Sequence, residues 1–150
     1  VATAFKVEGF AELAANLDEL PKATQRGVLV RTLTKEGQPV ADTASRMAPE
    51  RSGRLSFSIV VSQQLTARQR REPKVSWVEV HIGPAGGLGS LAYASFIEFG
   101  TVLMPAQPYM RPAWEAHKAS VLTGIKFTLG AEIERSAARL ARKRARAAAG

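Results

Sequence analysis

The chain has no cysteine among its 150 residues. Disulfides, thiol catalysis and cysteine-ligated zinc are excluded on that ground. Histidine is almost as scarce. His81 and His117 lie far apart, neither stands near a second ligand at metal-binding spacing, and both read as ordinary surface or partly buried side chains. Long apolar runs are missing as well. The longest uncharged stretch, Gly83 to Ile97, carries Pro84 and four glycines, so it cannot form a membrane-spanning helix. Lys6 and Glu8 interrupt the first apolar residues, which is unlike a secretory leader, and folding in a cytoplasm is expected. No serine occupies a nucleophile elbow. Gly86-Gly87-Leu88-Gly89 lacks the lysine and hydroxyl of a phosphate loop and reads as a hinge. The close acidic pairs, Asp18-Glu19 and Glu132/Glu134, fall on segments that read as structural helices. No catalytic residue, metal site or cofactor is expected, and the chain does not read as an enzyme. A small hydrolase with a dispersed site is the weakest rival reading.

What is present suffices for one domain with a real core. A chain of this length buries roughly 70% of its unfolded surface. Its 45% hydrophobic and 23% charged content is ordinary for a globular protein. The net charge is +8, unevenly placed. Arg135, Arg139, Arg142, Lys143, Arg144 and Arg146 all follow the last acidic residue, Glu134. Without them 15 basic residues face 13 acidic ones, a net +2. This basic end fits either a polyanionic neighbour, whether nucleic acid or an acidic protein face, or a solvated helix end whose cations suit the helix dipole.

Apolar spacing organises the rest. Phe10, Leu13, Leu17 and Leu20 predict a short amphipathic helix over 9–20. Pro21 suits the first turn of a second helix. In that helix Val30, Leu33, Gly37, Val40, Ala44 and Met47 form a stripe reaching about Ala48. Pro39 should kink or divide it, and Ala48-Pro49 ends it. Residues 50–54 read as a turn. Leu55, Phe57, Ile59 and Val61 alternate with Ser56, Ser58, Val60 and Ser62 and predict a strand. A charged connection with Arg68, Arg70, Arg71 and Glu72 leads to a second strand over 74–82, with Val78, Val80 and Ile82 on one face. The two strands are expected to pair as a hairpin with a mobile tip, followed by a flexible loop over 83–90. Leu91 to Phe99 fits a helical turn or a strand equally. Trp114, Val121, Ile125, Leu129, Ile133, Ala137 and Leu140 predict a long terminal helix to about Ala145. In it Gly124 and Gly130 mark a bend or a close approach of another backbone. The expected fold is α+β: a small antiparallel sheet packed by an N-terminal helical region and a long C-terminal helix. Residues 1–134 form the domain and 135–150 a basic helix end or tail.

The stretch Tyr93–Pro112 combines aromatics, a Gly-Thr stop and three prolines. Preset backbone angles and large side chains with few rotatable bonds suit a fixed loop for packing or docking. Glu98 stands among apolar neighbours. It either points to solvent or accepts hydrogen bonds and pairs with a cation, and pairing is favoured. Arg111 is the expected partner, within the chain or across a subunit boundary. Glu98→Ala is then expected to disturb assembly more than the fold.

Three stretches make the chain similar to a family of siphophage tail components that includes tail-completion and neck proteins at the head–tail junction. They are Met47-Ala48-Pro49-Glu50-Arg51-Ser52-Gly53-Arg54-Leu55 running into Ser58-Ile59; Tyr93-Ala94 followed by Ile97-Glu98-Phe99-Gly100-Thr101; and Pro108-Tyr109-Met110-Arg111-Pro112-Ala113. Ser52 replaces an expected threonine, Tyr109 a commoner phenylalanine, and Pro39 interrupts a helix usually unbroken. The resemblance implies a non-enzymatic virion component of the neck or tail, made in the host cytoplasm. It implies a ring, a hexamer, between head-connector and tail-terminator or tail-tube proteins. Subunit or partner contacts are expected from Tyr93, Phe96, Glu98, Phe99, Gly100, Thr101, Pro108, Tyr109, Arg111 and Pro112. The alternative is a nucleic-acid-binding protein using Arg135, Arg139, Arg142, Lys143, Arg144 and Arg146, or a ring whose arginines line a channel for DNA. The tail lacks the interleaved aromatics of base-stacking proteins.

Overall fold

The computed structural model describes residues 9–49, 53–66, 69, 71, 73–86 and 88–149. Five helices and two strands follow in the order α1 (Phe10–Asp18), α2 (Lys22–Met47), α3 (Arg54–Ser58), β1 (Ile59–Ser62), β2 (His81–Pro84), α4 (Leu88–Phe99) and α5 (Met110–Ala148). The molecule is mostly helical, with a two-stranded antiparallel sheet packed on α2 beside the long α5. Most of the 50–54 turn lies outside the described residues, as do Arg68, Arg70 and Glu72 of the charged connection and Lys6 and Glu8 of the N-terminus.

The frame is the antiparallel pair α2 and α5. Residue numbers rise along one as they fall along the other: Arg31 meets Glu132, Glu36 meets Thr128, and Thr43 meets His117. The 39 residues of α5 span about 58 Å at 1.5 Å per residue. Helix α2 stops at Met47 because Ala48 precedes Pro49. A proline crowds the helical region of the residue before it, and Ala48 sits at φ −64°, ψ 134°. Of the kink or division expected at Pro39, the division does not occur: α2 runs on past it to Met47. It lies on the exposed side of the helix, where the Lys35 carbonyl that loses its donor can face water.

Two buried clusters lie along this frame. One gathers Val40, Ala41 and Ala44 of α2, Leu55, Ile59, Ala94, Ile97, Tyr109, Ala113 and Val121. The other joins Leu20 and Val28 to Leu129 and Ile133, with Leu13, Leu17 and Leu140 at its border. The predicted stripes are rotated at their ends. In α2 the inward residues near the start are Gln25, Val28 and Thr32 rather than Val30 and Leu33, and Met47 faces outward. In α5 Ala113 and Ser136 are buried, while Trp114 and Ala137 are exposed. Gln25 is tolerated inside because its Nε2 donates to the Leu20 carbonyl at 2.7 Å.

The predicted strands shorten for identifiable reasons. Leu55 and Ile59 satisfy both a two-residue and a four-residue period. Serine hydroxyls favour the helical choice, with Ser56 Oγ donating to the Gly53 carbonyl and Ser58 Oγ to that of Leu55. Residues 54–58 therefore form a helical turn, and Phe57 is 88% exposed instead of facing the core. Before β2, Glu79 Oε1 accepts the backbone N–H of Val75 and Ser76 at 2.6 and 2.8 Å. That carboxylate winds residues 75–78 into a bend, so the strand begins only at His81. The register pairs Ile59 with Pro84 and Val61 with Ile82. Gly37 lets the hairpin approach α2 closely: a Cβ there would lie 3.2 Å from both Val61 Cγ1 and Ile82 Cδ1. The loop expected over 83–90 shrinks to a short link, because Gly83 and Pro84 belong to β2 and Leu88–Ser90 open α4.

Candidate functional site

The stretch ambiguous between helix and strand is α4, and its two sides differ sharply. Ala94, Ile97 and Glu98 face inward and are buried. Tyr93, Phe96 and Phe99, one helical step of three apart, face outward and are 41%, 50% and 68% exposed. The helix ends at Gly100, whose N–H donates to the Phe96 carbonyl at 2.8 Å. Its φ of 75° is the left-handed conformation that glycine adopts without a Cβ penalty. A Cβ here would also lie 2.8 Å from the Ala106 nitrogen. The chain then reverses in a tight turn bridged between Thr101 and Met104, with Val102 and Leu103 at its fully exposed tip. Gln107 N–H donates to the Ile97 carbonyl at 2.8 Å and ties the returning segment to α4.

Glu98 holds the whole arrangement. It is 5% exposed. Its Oε2 accepts the backbone N–H of Tyr109 at 2.7 Å and of Met110 at 2.9 Å, and its Oε1 that of Arg111 at 3.0 Å. Helix α5 has no side-chain cap of its own. Its first donors are satisfied by a carboxylate from another helix, and the next residue, Pro112, has no N–H to satisfy. The positive end of the α5 dipole adds to the attraction. Arg111 closes the cluster within the same chain, its Nε donating to Oε1 at 3.2 Å and its Nη2 to the Glu98 carbonyl at 3.3 Å. Burial pushes the Glu98 carboxyl upward. The N–H groups of Met110, Tyr109 and Arg111 and the Arg111 side chain outweigh it and hold the group below the usual carboxylate range. The exposed Arg111 guanidinium also lies 5.4 Å from the Phe99 ring centre, within cation–π range.

The residues expected at a subunit or partner contact therefore fall into two sets. Tyr93, Phe96, Phe99, Thr101, Pro108 and Arg111 are exposed, and Gly100 and Pro112 are half-buried. Glu98 and Tyr109 face inward. Tyr109 is 1% exposed, a member of the larger core, and offers no surface to a partner. Its hydroxyl pKa is pushed up to about 12, by burial first and then by the Glu98 charge. Sequence reading passed over Val102 and Leu103, two fully exposed apolar residues in the turn that follows α4. Their position between a glycine stop and a proline was the available signal.

The six basic residues lie on α5 itself, which continues unbroken to Ala148. All six are exposed. Arg135 pairs with Glu132 at 3.2 Å; the other five have no ion pair among the described residues. Packing continues past Glu134 through the buried Ser136 and through Leu140. Among the described residues, no three His, Asp or Glu side chains are grouped to hold a metal ion, and no helix is long and apolar enough to cross a membrane.

No curated protein and no solved structure matches the chain. Residues 11–100 match the family described as "Bacteriophage HK97-gp10, putative tail-component". That span is more than half of the chain and holds all of α1 to α4 but Phe10, with the Tyr93–Gly100 signature, while the Glu98-capped α5 lies beyond it. With the outward stripe of α4 inside the matched span, the chain belongs to the HK97-gp10-like family of bacteriophage tail components.

Proposed function

We propose that this tail component is a ring-forming neck or tail-completion subunit, a hexamer joining head connector to tail terminator or tail tube. The outer face of α4 is its contact with the next copy. One observation carries this reading: Tyr93, Phe96 and Phe99 are exposed on a helix whose opposite side is fixed in the core, and Val102 and Leu103 are exposed on the bridged turn that follows it. A concentration of exposed large apolar side chains of this kind in one short segment marks an interaction site. Aromatics of low rotamer entropy on a backbone already held by Glu98 and the prolines lose little freedom on binding. A closed ring needs a head-to-tail contact, covering on the order of 800 Å² per partner.

The test is Phe96→Asp, with Val102→Asp as a second variant, both read by native mass spectrometry and by assembly of tailed particles. Each variant is expected to keep the wild-type circular dichroism and melting temperature, to remain monomeric, and to leave heads and tails unjoined. Wild-type levels of joined particles from both variants would overturn the reading.

A further inference from the structure

We infer that the basic surface is a seat for a duplex DNA backbone built jointly by the start of α2 and the end of α5, rather than a property of the terminal helix alone. Two shallow depressions adjoin over the first turns of α2. One, of about 270 Å³, lies between Ala23 and Gly27 of α2 and Arg139 and Lys143 of α5. The other, of about 420 Å³, shares Ala23, Gly27 and Arg31 with it and is bounded by Arg26 on the far side. The result is a trough lined by small and apolar residues, Ala23, Gly27, Val30 and Leu140 among them, together with Arg26, Arg31, Arg139 and Lys143 from the two helices. Arg31 pairs with Glu132 at 2.9 Å in its midst. Arg26 donates to the neutral Gln63 at 3.5 Å, and Arg26, Arg139 and Lys143 have no ion pair among the described residues.

The chemistry of the trough selects phosphate. Beyond Leu140, which packs on the second core cluster, the described part of α5 consists of alanine, arginine and lysine alone. It offers none of the aromatic or aliphatic anchors that give protein interfaces their affinity. Arginine forks match phosphate oxygens in pairs. At about 100° per residue, Arg135, Arg139, Arg142, Lys143 and Arg146 fall within an arc of about 100°, and Arg144 lies about 100° beyond Lys143. Charge is thus concentrated on the flank beside α2. With no groove-reading element at the trough, contact is with the backbone and independent of sequence. This seat does not depend on the ring.

The experiment is a fluorescence-anisotropy titration of the full chain with a labelled mixed-sequence 20-base-pair duplex between about 50 and 200 mM salt. Arg26→Ala, Arg139→Ala, Lys143→Ala and Arg144→Ala are compared, with circular dichroism to verify the fold of these exposed-site variants. Binding is expected to weaken linearly in log–log salt. Each of the first three variants should lower affinity roughly three- to tenfold and flatten the salt slope by about one. Arg144→Ala, which removes the same charge from the other side, should do less than half as much. Three results would overturn the inference: no binding at the lowest salt; equal losses for Arg144→Ala and Arg139→Ala with none for Arg26→Ala; or displacement of DNA by polyglutamate as readily as by unlabelled duplex.

Discussion

Glu98 shows how far one side chain can reach. The sequence placed an acid among apolar neighbours and pointed to Arg111. It did not indicate that three backbone donors eleven to thirteen residues away would be the main partners. The expected outcome of Glu98→Ala changes accordingly, because removing the carboxylate strands the first donors of α5. We expect a loss of about 3 kcal/mol of fold stability, measured by chemical denaturation, while Glu98→Gln, which keeps an acceptor, loses less than half of that. The pH dependence follows from the lowered carboxyl pKa. The group binds fewer protons folded than unfolded, so its contribution is full above the ordinary carboxylate range and is lost as pH falls through the folded value. Wild type should therefore lose stability more steeply than Glu98→Gln between about pH 5 and 3. Two glycines of α5 make a second residue-scale contrast. A Cβ on Gly124 would collide with the Glu36 carboxylate, whereas on Gly130 it would meet Leu13 at an ordinary 3.6 Å. The close approach at Gly124 is made by a side chain, not by another backbone. Gly130→Ala should stabilise by up to about 1 kcal/mol. Gly124→Ala should gain as much only alongside Glu36→Ala, a difference that a double-mutant thermal-melt cycle reads directly.

At the scale of elements, length and composition made the long helices legible, and local side-chain chemistry obscured the short ones. Helices α2 and α5 repeat their apolar spacing over many turns, so no single residue could mislead. The hairpin rests on four residues per strand. Serine hydroxyls turned the start of its first strand into α3, and the Glu79 carboxylate delayed its second. Glu79→Ala should release the bend at Val75 and Ser76, visible as faster amide exchange at those two N–H groups with the rest of the hairpin unchanged. The outward stripe of α4 was named residue by residue in the sequence. Its separation from the inward set of Glu98 and Tyr109 was not, because a segment that fits helix or strand has no defined faces. Truncation after Glu134 is the element-scale test of α5. Losing the packing of Ser136 and Leu140 should cost roughly 1–2 kcal/mol, leave a folded protein, and abolish salt-dependent DNA binding.

In the whole molecule, two clusters share one frame, since α2 and α5 run through both. Val28 in the smaller cluster and Val40 in the larger are each almost fully buried. Val28→Ala and Val40→Ala should each lower stability by about 2 kcal/mol. Unfolding should remain a single transition by both near- and far-ultraviolet circular dichroism, since neither cluster can open without breaking the same helix pair. Alkali gives an independent reading of the larger cluster. Tyr109 titrates higher when folded, at about 12 against an ordinary value of 10. Its contribution is complete below about pH 10 and is lost as pH rises through the folded value. Tyr109→Phe should lose less stability than wild type across that interval in denaturant titrations.

The amino-acid sequence alone determined the helical frame, the hairpin between its halves, the exclusion of cysteine chemistry and the family signature. These depend on spacing and residue type, which local chain geometry converts directly into faces and breaks. Tertiary structure alone decided that a carboxylate on α4 caps α5, that Tyr109 faces inward while Phe96 faces outward, and that cations from the start of α2 and the end of α5 share one trough. Each of these joins groups distant along the backbone, and only the packing of α2 against α5 fixes which of them meet.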